Sequence, residues 1–193
     1  MFYLIVILST FVAVGVCHAP LGAGFDFGML ARSLFDAFLG VAAVIAIDGV
    51  LAFAVRRMPE RWFSPEGKLY AVSKRERAVL HALGIDVWKR FVPELGCFTH
   101  FHKDKVHEPT SVTYLERFLL ESNYGAVGHI FGAVFGFLIL LLPCCQPLSK
   151  GLPIALVNFV LSMLPTCILR YNTPSLRRLL KRARREEARN RQA

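Results

Sequence analysis

The sequence predicts an all-α integral membrane protein with about four transmembrane helices, a cytosolic block between two membrane hairpins, and a basic amphipathic C-terminal helix. Two observations predict this class together. Hydrophobic residues make up 54% of the 193 residues, and Lys and Arg outnumber Asp and Glu by 23 to 14. A soluble domain of this length lacks the volume to bury so much apolar surface, whereas a disordered basic protein is poor in large apolar residues. A membrane protein whose charge lies outside the membrane satisfies both observations.

The basic charge is concentrated in two segments. Residues 56–121 contain 12 basic and 9 acidic residues, and residues 170–193 contain 9 basic and 2 acidic residues. Because cytoplasmic segments of membrane proteins carry an excess of Lys and Arg, we expect both segments in the cytoplasm and the connections at 18–33 and 143–151 outside. The prediction is a multi-pass protein of the cell (inner) membrane with both termini cytoplasmic.

Four apolar stretches approach or exceed the length that crosses about 30 Å of hydrocarbon; they cover roughly residues 2–16, 34–55, 125–142 and 152–169. They predict an N-terminal membrane hairpin over 1–55, a cytosolic or interfacial helical block over 56–124, a C-terminal membrane hairpin over 125–169 and a basic amphipathic tail over 170–193. The first stretch is short, and the alternative is a signal peptide cleaved near Cys17-His18-Ala19. The absence of a basic segment before it favours an uncleaved anchor.

Glycines recur every four residues in the third stretch, at Gly128, Gly132 and Gly136. Because glycine has no Cβ, this spacing lets another helix approach closely in lipid. The fourth stretch is the expected partner, with Asn158 hydrogen-bonding across the contact. The same glycine face is a candidate contact for a homo-oligomer or a partner helix.

A carboxylate and an imidazole share one face of the helix that leads into the third stretch. The spacing of Thr113 and Glu116 predicts a capping box at the start of this helix, and Glu121 and His129 then stand eight residues apart. A Glu/His pair at the cytosolic membrane boundary fits a general base with an orienting partner. The alternative is an interfacial His129 that bonds a backbone carbonyl, with Glu121 in solvent.

Two other groups of polar residues have mainly structural interpretations. Asp48 lies within the second stretch, and we expect it to pair with Arg56 or Arg170, or to face a polar cavity, because a lone charge in lipid is costly. One cytosolic loop collects residue types that bind zinc, but their spacing fits no established zinc pattern, so no metal site is predicted. The residues of this loop are Cys97, His100, His102 and His107.

The C-terminal segment has the pattern of an amphipathic helix that begins at the membrane edge. Thr173 is expected as its N-cap and Pro174 as its first residue. An apolar stripe runs among the Arg and Lys residues, at Leu176, Leu179, Leu180 and Ala183. We expect this helix to lie on anionic lipid headgroups, where each basic residue contributes about 1 kcal/mol.

Several further blocks follow one another along the chain. They are Arg57-Met58-Pro59 with Arg61-Trp62-Phe63, Gly84-Ile85 with Trp88-Lys89 and Pro93-Glu94, Tyr114 to Phe118 with Glu121 and His129, and Leu164-Pro165 with Arg170-Tyr171-Asn172, Pro174 and Leu176. In this order they resemble the glycosyl-diaponeurosporenoate acyltransferase family, bacterial membrane enzymes that acylate a glycosylated carotenoid. The chain departs from the family pattern at Tyr124-Gly125-Ala126, and at Thr173 and Ser175, which stand where the family has arginines.

The resemblance implies a membrane acyltransferase that moves a fatty acyl group from a thioester donor to a hydroxyl of a membrane glycolipid or glycosylated carotenoid-like acceptor. It implies His129 and Glu121 as catalytic residues, and as substrate-binding residues Arg61, Trp88, Lys89, Arg170, Tyr171 and Asn172. No bound cofactor is expected, and acyl-CoA or a similar acyl thioester is the co-substrate. The expected partners are membrane lipid and the lipid-linked acceptor, and nucleic acid is not expected.

Two other function classes remain open from the sequence. A non-catalytic membrane scaffold would bind lipid headgroups through the basic tail and a partner through the glycine face. A small transporter would use Asp48 on a proton path, but four spans in one chain form a poor pathway, so this function requires an oligomer.

Overall fold

A computed structural model describes residues 2–19, 26–92 and 106–192, and within these ranges the chain forms helices and no strand. The long helices are α1 (Phe2–Cys17), α2 (Phe27–Arg56), α5 (Val112–Phe135) and α6 (Leu148–Asn190), and the short ones between α2 and α5 are α3 (Lys74–Ala82) and α4 (Ile85–Trp88). Short 3₁₀ helices occupy Glu60–Phe63, Lys68–Tyr70, Lys89–Phe91, Gly136–Leu141 and Pro143–Cys145. The predicted all-α fold is confirmed.

Three of the described helical segments are long and apolar enough to cross a membrane, namely Phe27–Arg56, Val112–Leu141 and Leu148–Asn190. Helix α1 is apolar but shorter, with its apolar part at Tyr3–Cys17. The chain is therefore a helical membrane protein. The fourth span at α1, its retention as an anchor and the orientation of the termini stay predictions.

The chain divides into two compact units. The first unit comprises Met1–Ala54 and Gly128–Met163, and the second comprises Val55–Val127 and Leu164–Ala193. The first unit thus contains most of both predicted membrane hairpins, and the second contains most of the predicted cytosolic block together with the tail. The four-part organisation itself stays a prediction.

In the second unit, the apolar stripe of the C-terminal segment is part of a protein core. The side chains of Leu176, Leu180 and Ala183 on α6 are buried, and they cluster with three buried residues of α5, Leu115, Phe118 and Leu119. The expectation that this stripe lies on lipid is therefore wrong, because α5 already covers it. The basic residues of the same segment, such as Lys181, Arg182 and Arg185, remain exposed.

Two predicted helix starts are also wrong. Helix α6 continues through Thr173 and Pro174, and the buried Thr173 donates its hydroxyl to the Leu169 carbonyl at 2.8 Å instead of capping a new helix. A threonine inside a helix commonly bonds the carbonyl four residues before it, and burial of the stripe on α5 favours continuation across the proline. Helix α5 begins at Val112, where the Ser111 hydroxyl accepts from the Tyr114 N–H at 3.3 Å.

A second proline within α6 leaves a backbone carbonyl that another residue satisfies. Pro165 has no N–H to donate to the carbonyl of Leu161, four residues earlier. The hydroxyl of Tyr3 on α1 donates to this carbonyl at 3.5 Å. In an apolar environment an unpaired carbonyl is costly, so within the first unit the Tyr3 bond provides the Leu161 carbonyl with a donor.

The glycines of α5 make room for polar side chains. A Cβ on Gly132 would lie 2.7 Å from Oδ1 of Asp48, and a Cβ on Gly136 would overlap Nδ2 of Asn158. Asn158 donates from Nδ2 to the Gly132 carbonyl at 3.2 Å, which confirms its predicted cross-helix bond. A Cβ on Gly128 would meet no described atom within 4 Å. The pattern thus accommodates two polar groups of this chain, and oligomerisation through Gly128 stays a prediction.

Asp48 therefore faces a polar contact between helices of the first unit. Of the two arginines expected to pair with it, Arg56 binds Glu121 and Arg170 binds Glu76. The buried Oδ1 of Asp48 has no hydrogen-bond partner among the described residues. Asp48 was expected to pair with Arg56, to pair with Arg170 or to face a polar cavity. This geometry favours the polar cavity over either ion pair.

Replacement of Gly132 by alanine tests this close approach. Because the added methyl would overlap Asp48, we expect Gly132→Ala to lower the free energy of unfolding by about 1–3 kcal/mol. Gly128→Ala is the matched control and should be neutral or slightly stabilising, since alanine favours helix more than glycine does. Thermal unfolding in detergent micelles, followed by circular dichroism, measures both. Equal melting temperatures for the two variants would contradict the contact.

Candidate functional site

A run of four buried residues on α5, from Glu121 to Tyr124, binds the segment that follows α2. Asn123 donates from Nδ2 to the Phe63 carbonyl at 2.9 Å, and the Tyr124 hydroxyl donates to the Met58 carbonyl at 3.0 Å. The rings of Tyr124 and Phe63 stack with centroids 3.9 Å apart. These contacts fix residues 58–63, the first block of the resemblance, on α5.

Glu121 begins this run and forms an ion pair that the sequence analysis did not predict. Arg56, the last residue of α2, donates from Nη1 to Oε1 of Glu121 at 3.0 Å and from Nη2 to Oε2. The Glu121 side chain is 11% exposed and that of Arg56 is 37% exposed, so the carboxylate is largely removed from water and the guanidinium only in part. The Arg56 guanidinium also lies 5.1 Å from the centroid of the Tyr124 ring. Two-point pairing of this kind fixes orientation as well as charge.

His129 lies on the same helix, eight residues after Glu121, and its side chain is half-buried. It belongs to the first unit, whereas Glu121 belongs to the second. The assignment of both as catalytic residues stays a prediction. The structure adds that both carboxylate oxygens of Glu121 already bind Arg56, so Glu121 is not the solvated side chain of the alternative interpretation.

Most of the predicted substrate-binding residues meet around α3, α4 and α6 in the second unit. The Tyr171 hydroxyl donates to Oδ2 of Asp86 at 2.9 Å, and Lys89 donates to Oδ1 of the same carboxylate at 2.8 Å. The Lys89 ammonium lies 5.2 Å from the centroid of the Tyr171 ring. Trp88 donates from its indole N–H to the Leu83 carbonyl at 3.0 Å. Asn172 follows Tyr171 on α6 and is half-buried.

Arg170, the neighbour of Tyr171, binds Glu76 of α3 through two hydrogen bonds, from Nε to Oε1 and from Nη2 to Oε2, the latter at 2.9 Å. The Arg170 bond is the main reason why the pKa of Glu76 is lowered from its usual value. Hydrogen bonds from Lys89 and Tyr171 likewise lower the pKa of Asp86. Both carboxylates are therefore ionised near neutral pH, and they hold the cations and the tyrosine in place.

Arg61 lies apart from this cluster, in a cleft of about 490 Å³ that residues 60–66, α5 and α6 form within the second unit. The same cleft contains Arg184, which donates to Glu116 at 2.7 Å and to Glu66 at 2.5 Å. Arg61 is exposed. The structure thus brings Lys89, Arg170 and Tyr171 together and places Arg61 in a different cleft.

Some predicted residues lie outside the described part of the chain. These are Cys97, His100 and His102 of the loop with zinc-type residues, and Pro93 and Glu94 of the second block. Within 2–19, 26–92 and 106–192 no three His, Cys, Asp or Glu residues are grouped to hold a metal ion.

Sequence reasoning missed the partners of the site, namely Arg56, Glu76, Asp86 and Asn123. Arg56, Glu76 and Asn123 each lie tens of residues from the group they bind, so no local spacing signals them. Asp86 lies three residues before Lys89, a local spacing that signals this ion pair, but its bond to the distant Tyr171 had no local signal. The sequence did contain one signal, namely the positions that depart from the family pattern. Tyr124 is one of them and Thr173, which stands in place of an arginine, is another, and both side chains are buried. A large or polar residue at a divergent position is a candidate for a buried anchor.

The ion pair between Glu76 and Arg170 should make stability depend on pH. The pKa of Glu76 is lower in the folded protein than in the unfolded chain. The contribution of Glu76 to the free energy of unfolding is therefore fully present above its unfolded pKa and is lost as pH falls through its folded pKa. We expect Glu76→Gln to cost about 1 kcal/mol near neutral pH and to unfold with a weaker dependence on pH below about 4.5. Glu186→Gln, on an exposed turn of α6, is the control, and thermal unfolding across pH measures both. Parallel pH profiles for Glu76→Gln and wild type would contradict the assignment.

Comparison with known proteins agrees with the blocks found in the sequence. The family model described as glycosyl-4,4'-diaponeurosporenoate acyltransferase matches residues 59–182, more than half of the chain. The match includes Arg61, the cluster around Tyr171, Glu121 and His129. Searches of curated proteins and of solved structures find no match. The chain therefore belongs to the glycosyl-4,4'-diaponeurosporenoate acyltransferase family.

Proposed function

We propose that this membrane protein transfers a fatty acyl group from a soluble acyl thioester, such as acyl-CoA, to a hydroxyl of a glycosylated carotenoid-like or glycolipid acceptor in the membrane. The observation that carries the proposal is the family match over residues 59–182. Three apolar helices that can span a membrane fit an acceptor held in lipid. The ion-paired clusters of the second unit fit a donor that arrives from water.

In the proposed reaction, neutral His129 acts as the general base. It takes the proton of the acceptor hydroxyl while the hydroxyl oxygen attacks the thioester carbonyl. The new C–O bond forms, the C–S bond breaks, and the leaving thiolate takes the proton back from the imidazolium. Glu121 acts as the positioning residue, and its two hydrogen bonds to Arg56 fix its orientation on α5.

A cation is needed for the negative charge that develops on the carbonyl oxygen. Arg170 and Lys89 both bind carboxylates, whereas Arg61 is exposed and forms no ion pair with any described residue. Of the three candidates, we therefore assign this role to Arg61. Arg170 and Lys89, with Trp88, Tyr171 and Asn172, bind the substrate.

We further propose that the second unit and both termini are cytoplasmic, in the inner membrane of the cell. The basic residues of 56–121 and 170–193 support this orientation through the positive-inside rule. A soluble thioester is made in the cytoplasm and would meet the protein on that side.

His129→Ala tests the base. We expect acyl transfer in isolated membranes to fall by about 10²–10⁴-fold, the usual contribution of a general base. His107→Ala, at an exposed histidine just before α5, is the matched control and should retain activity. Full transfer by His129→Ala would show that this histidine is not the base.

The Arg56–Glu121 pair can be separated into structural and catalytic roles. Glu121→Leu alone leaves the Arg56 guanidinium, whose side chain is 37% exposed, without its carboxylate, and we expect a loss of about 1–3 kcal/mol of stability. The double variant Arg56→Met/Glu121→Leu removes both charges and should recover most of that stability. If Glu121 also serves the reaction, acyl transfer stays low in the double variant although the protein is stable. Recovery of transfer together with stability would make the pair purely structural.

A second candidate function is a non-catalytic scaffold that binds lipid headgroups. The exposed basic residues at the end of α6 favour it. Extraction of lipids and pigments from a deletion strain, compared with the wild type, discriminates the two. Loss of an acylated species supports the transferase, and an unchanged profile supports the scaffold.

A further inference from the structure

One face of α3 forms an open cleft with α6. The cleft measures about 370 Å³ and is lined by Lys74, Arg77, Ala78 and His81 of α3 and by Tyr171 of α6. The three basic residues are spaced by three and four along α3, so they share one face of the helix. Its volume falls within the range of small-molecule sites, about 300–1,000 Å³.

Two cations of this cleft have no carboxylate partner. Lys74 and Arg77 form no ion pair with any residue in the described ranges, whereas Arg170 is bound by Glu76 and Lys89 by Asp86. The nearby carboxylates of Glu76 and Asp86 are thus bound to other cations and do not line the cleft. The cleft keeps an excess of positive charge that an anion can bind.

Tyr171 is held rigidly at the base of this cleft. Its hydroxyl donates to Asp86 at 2.9 Å, and cations lie beside its ring, with Arg77 at 5.4 Å and Lys89 at 5.2 Å from the centroid. Cation–π contacts of this kind favour a fixed guanidinium. His81 lies at the rim, 3.6 Å from Asp86, with a largely exposed side chain. Tyr171 and Arg77 are thus positioned before any ligand arrives.

We propose that the cleft formed by Lys74, Arg77, His81 and Tyr171 binds the phosphate groups of the soluble thioester donor, a coenzyme A ester. Phosphate accepts hydrogen bonds from the forked guanidinium and from a lysine point charge. The exposed rim at Lys74 and His81 favours a ligand from water over a lipid headgroup. The inference rests on the proposed function, which requires a thioester donor, and it assigns residues that the family resemblance did not.

Direct binding tests the cleft without any turnover. The full chain in detergent micelles is titrated with coenzyme A in a calorimeter, as wild type and as Lys74→Gln/Arg77→Gln. We expect the double variant to weaken binding at least about tenfold, because each charged contact contributes substantially to affinity. Arg75→Gln removes the same charge from the same helix at an exposed position outside the cleft and should change the dissociation constant less than about twofold. Circular dichroism confirms that both variants are folded.

Kinetics and lipid binding complete the test. If acyl transfer is observed, the double variant should raise KM for the thioester about tenfold with kcat nearly unchanged. Vesicles of phosphatidylglycerol in phosphatidylcholine test the other source of phosphate, and the double variant should bind them as the wild type does. The double variant could lose coenzyme A binding while neither it nor the wild type shows acyl transfer. This result supports the cleft as a coenzyme A site and rejects the proposed function. Equal coenzyme A binding by wild type and double variant, no binding by the wild type, or a loss confined to vesicles overturns the proposal.

Discussion

A carboxylate that is almost removed from water needs a cation, and at Glu121 that cation is Arg56. The second unit is organised by this requirement. The pair joins the end of α2 to the middle of α5. Residues 58–63, which follow α2, are then held against α5 by hydrogen bonds from Asn123 and Tyr124. Removal of either charge would leave the other uncompensated. The segment that the family model begins with, at residue 59, is thus positioned by one ion pair and two backbone contacts.

The first unit also contains polar side chains among apolar ones, but not every buried polar atom there has a hydrogen-bond partner among the described residues. Its helices are apolar, yet Asp48, Asn158 and Tyr3 place polar groups among them. Glycines at 132 and 136 provide the space, and the carbonyls of Gly132 and Leu161 provide acceptors. Small residues and polar bonds are the means by which helices associate in lipid. Here they act within one chain, which is why a glycine pattern alone does not distinguish an internal contact from an oligomer.

The sequence predicts the helical class and the approximate spans because both depend on local hydrophobicity. Caps were predicted less well: Thr173 and Pro174 have the local chemistry of a helix start, but burial of Leu176 and Leu180 against α5 overrides it. Lys89 and Tyr171 were identified by resemblance, and the structure places them together. The ion pairs of Glu76 and Arg56, and the bond between Asp86 and Tyr171, could not be predicted, since contacts between distant segments depend on the tertiary fold. The face of α3 with Lys74, Arg77 and His81 was visible as helical spacing but had no recognisable motif.

The uninterrupted course of α6 has a consequence for where the reactants meet. From Leu148 to Arg170 the helix rises about 33 Å, close to the hydrocarbon thickness of about 30 Å. A crossing that begins near Leu148 therefore ends near Arg170 and Tyr171. In the proposed reaction, this depth would let the acceptor keep its chain dissolved in lipid while it presents a hydroxyl, and would let the donor remain hydrated. The proposed reaction would then avoid the free-energy cost of extracting a lipid acceptor into water or of dehydrating a coenzyme A donor.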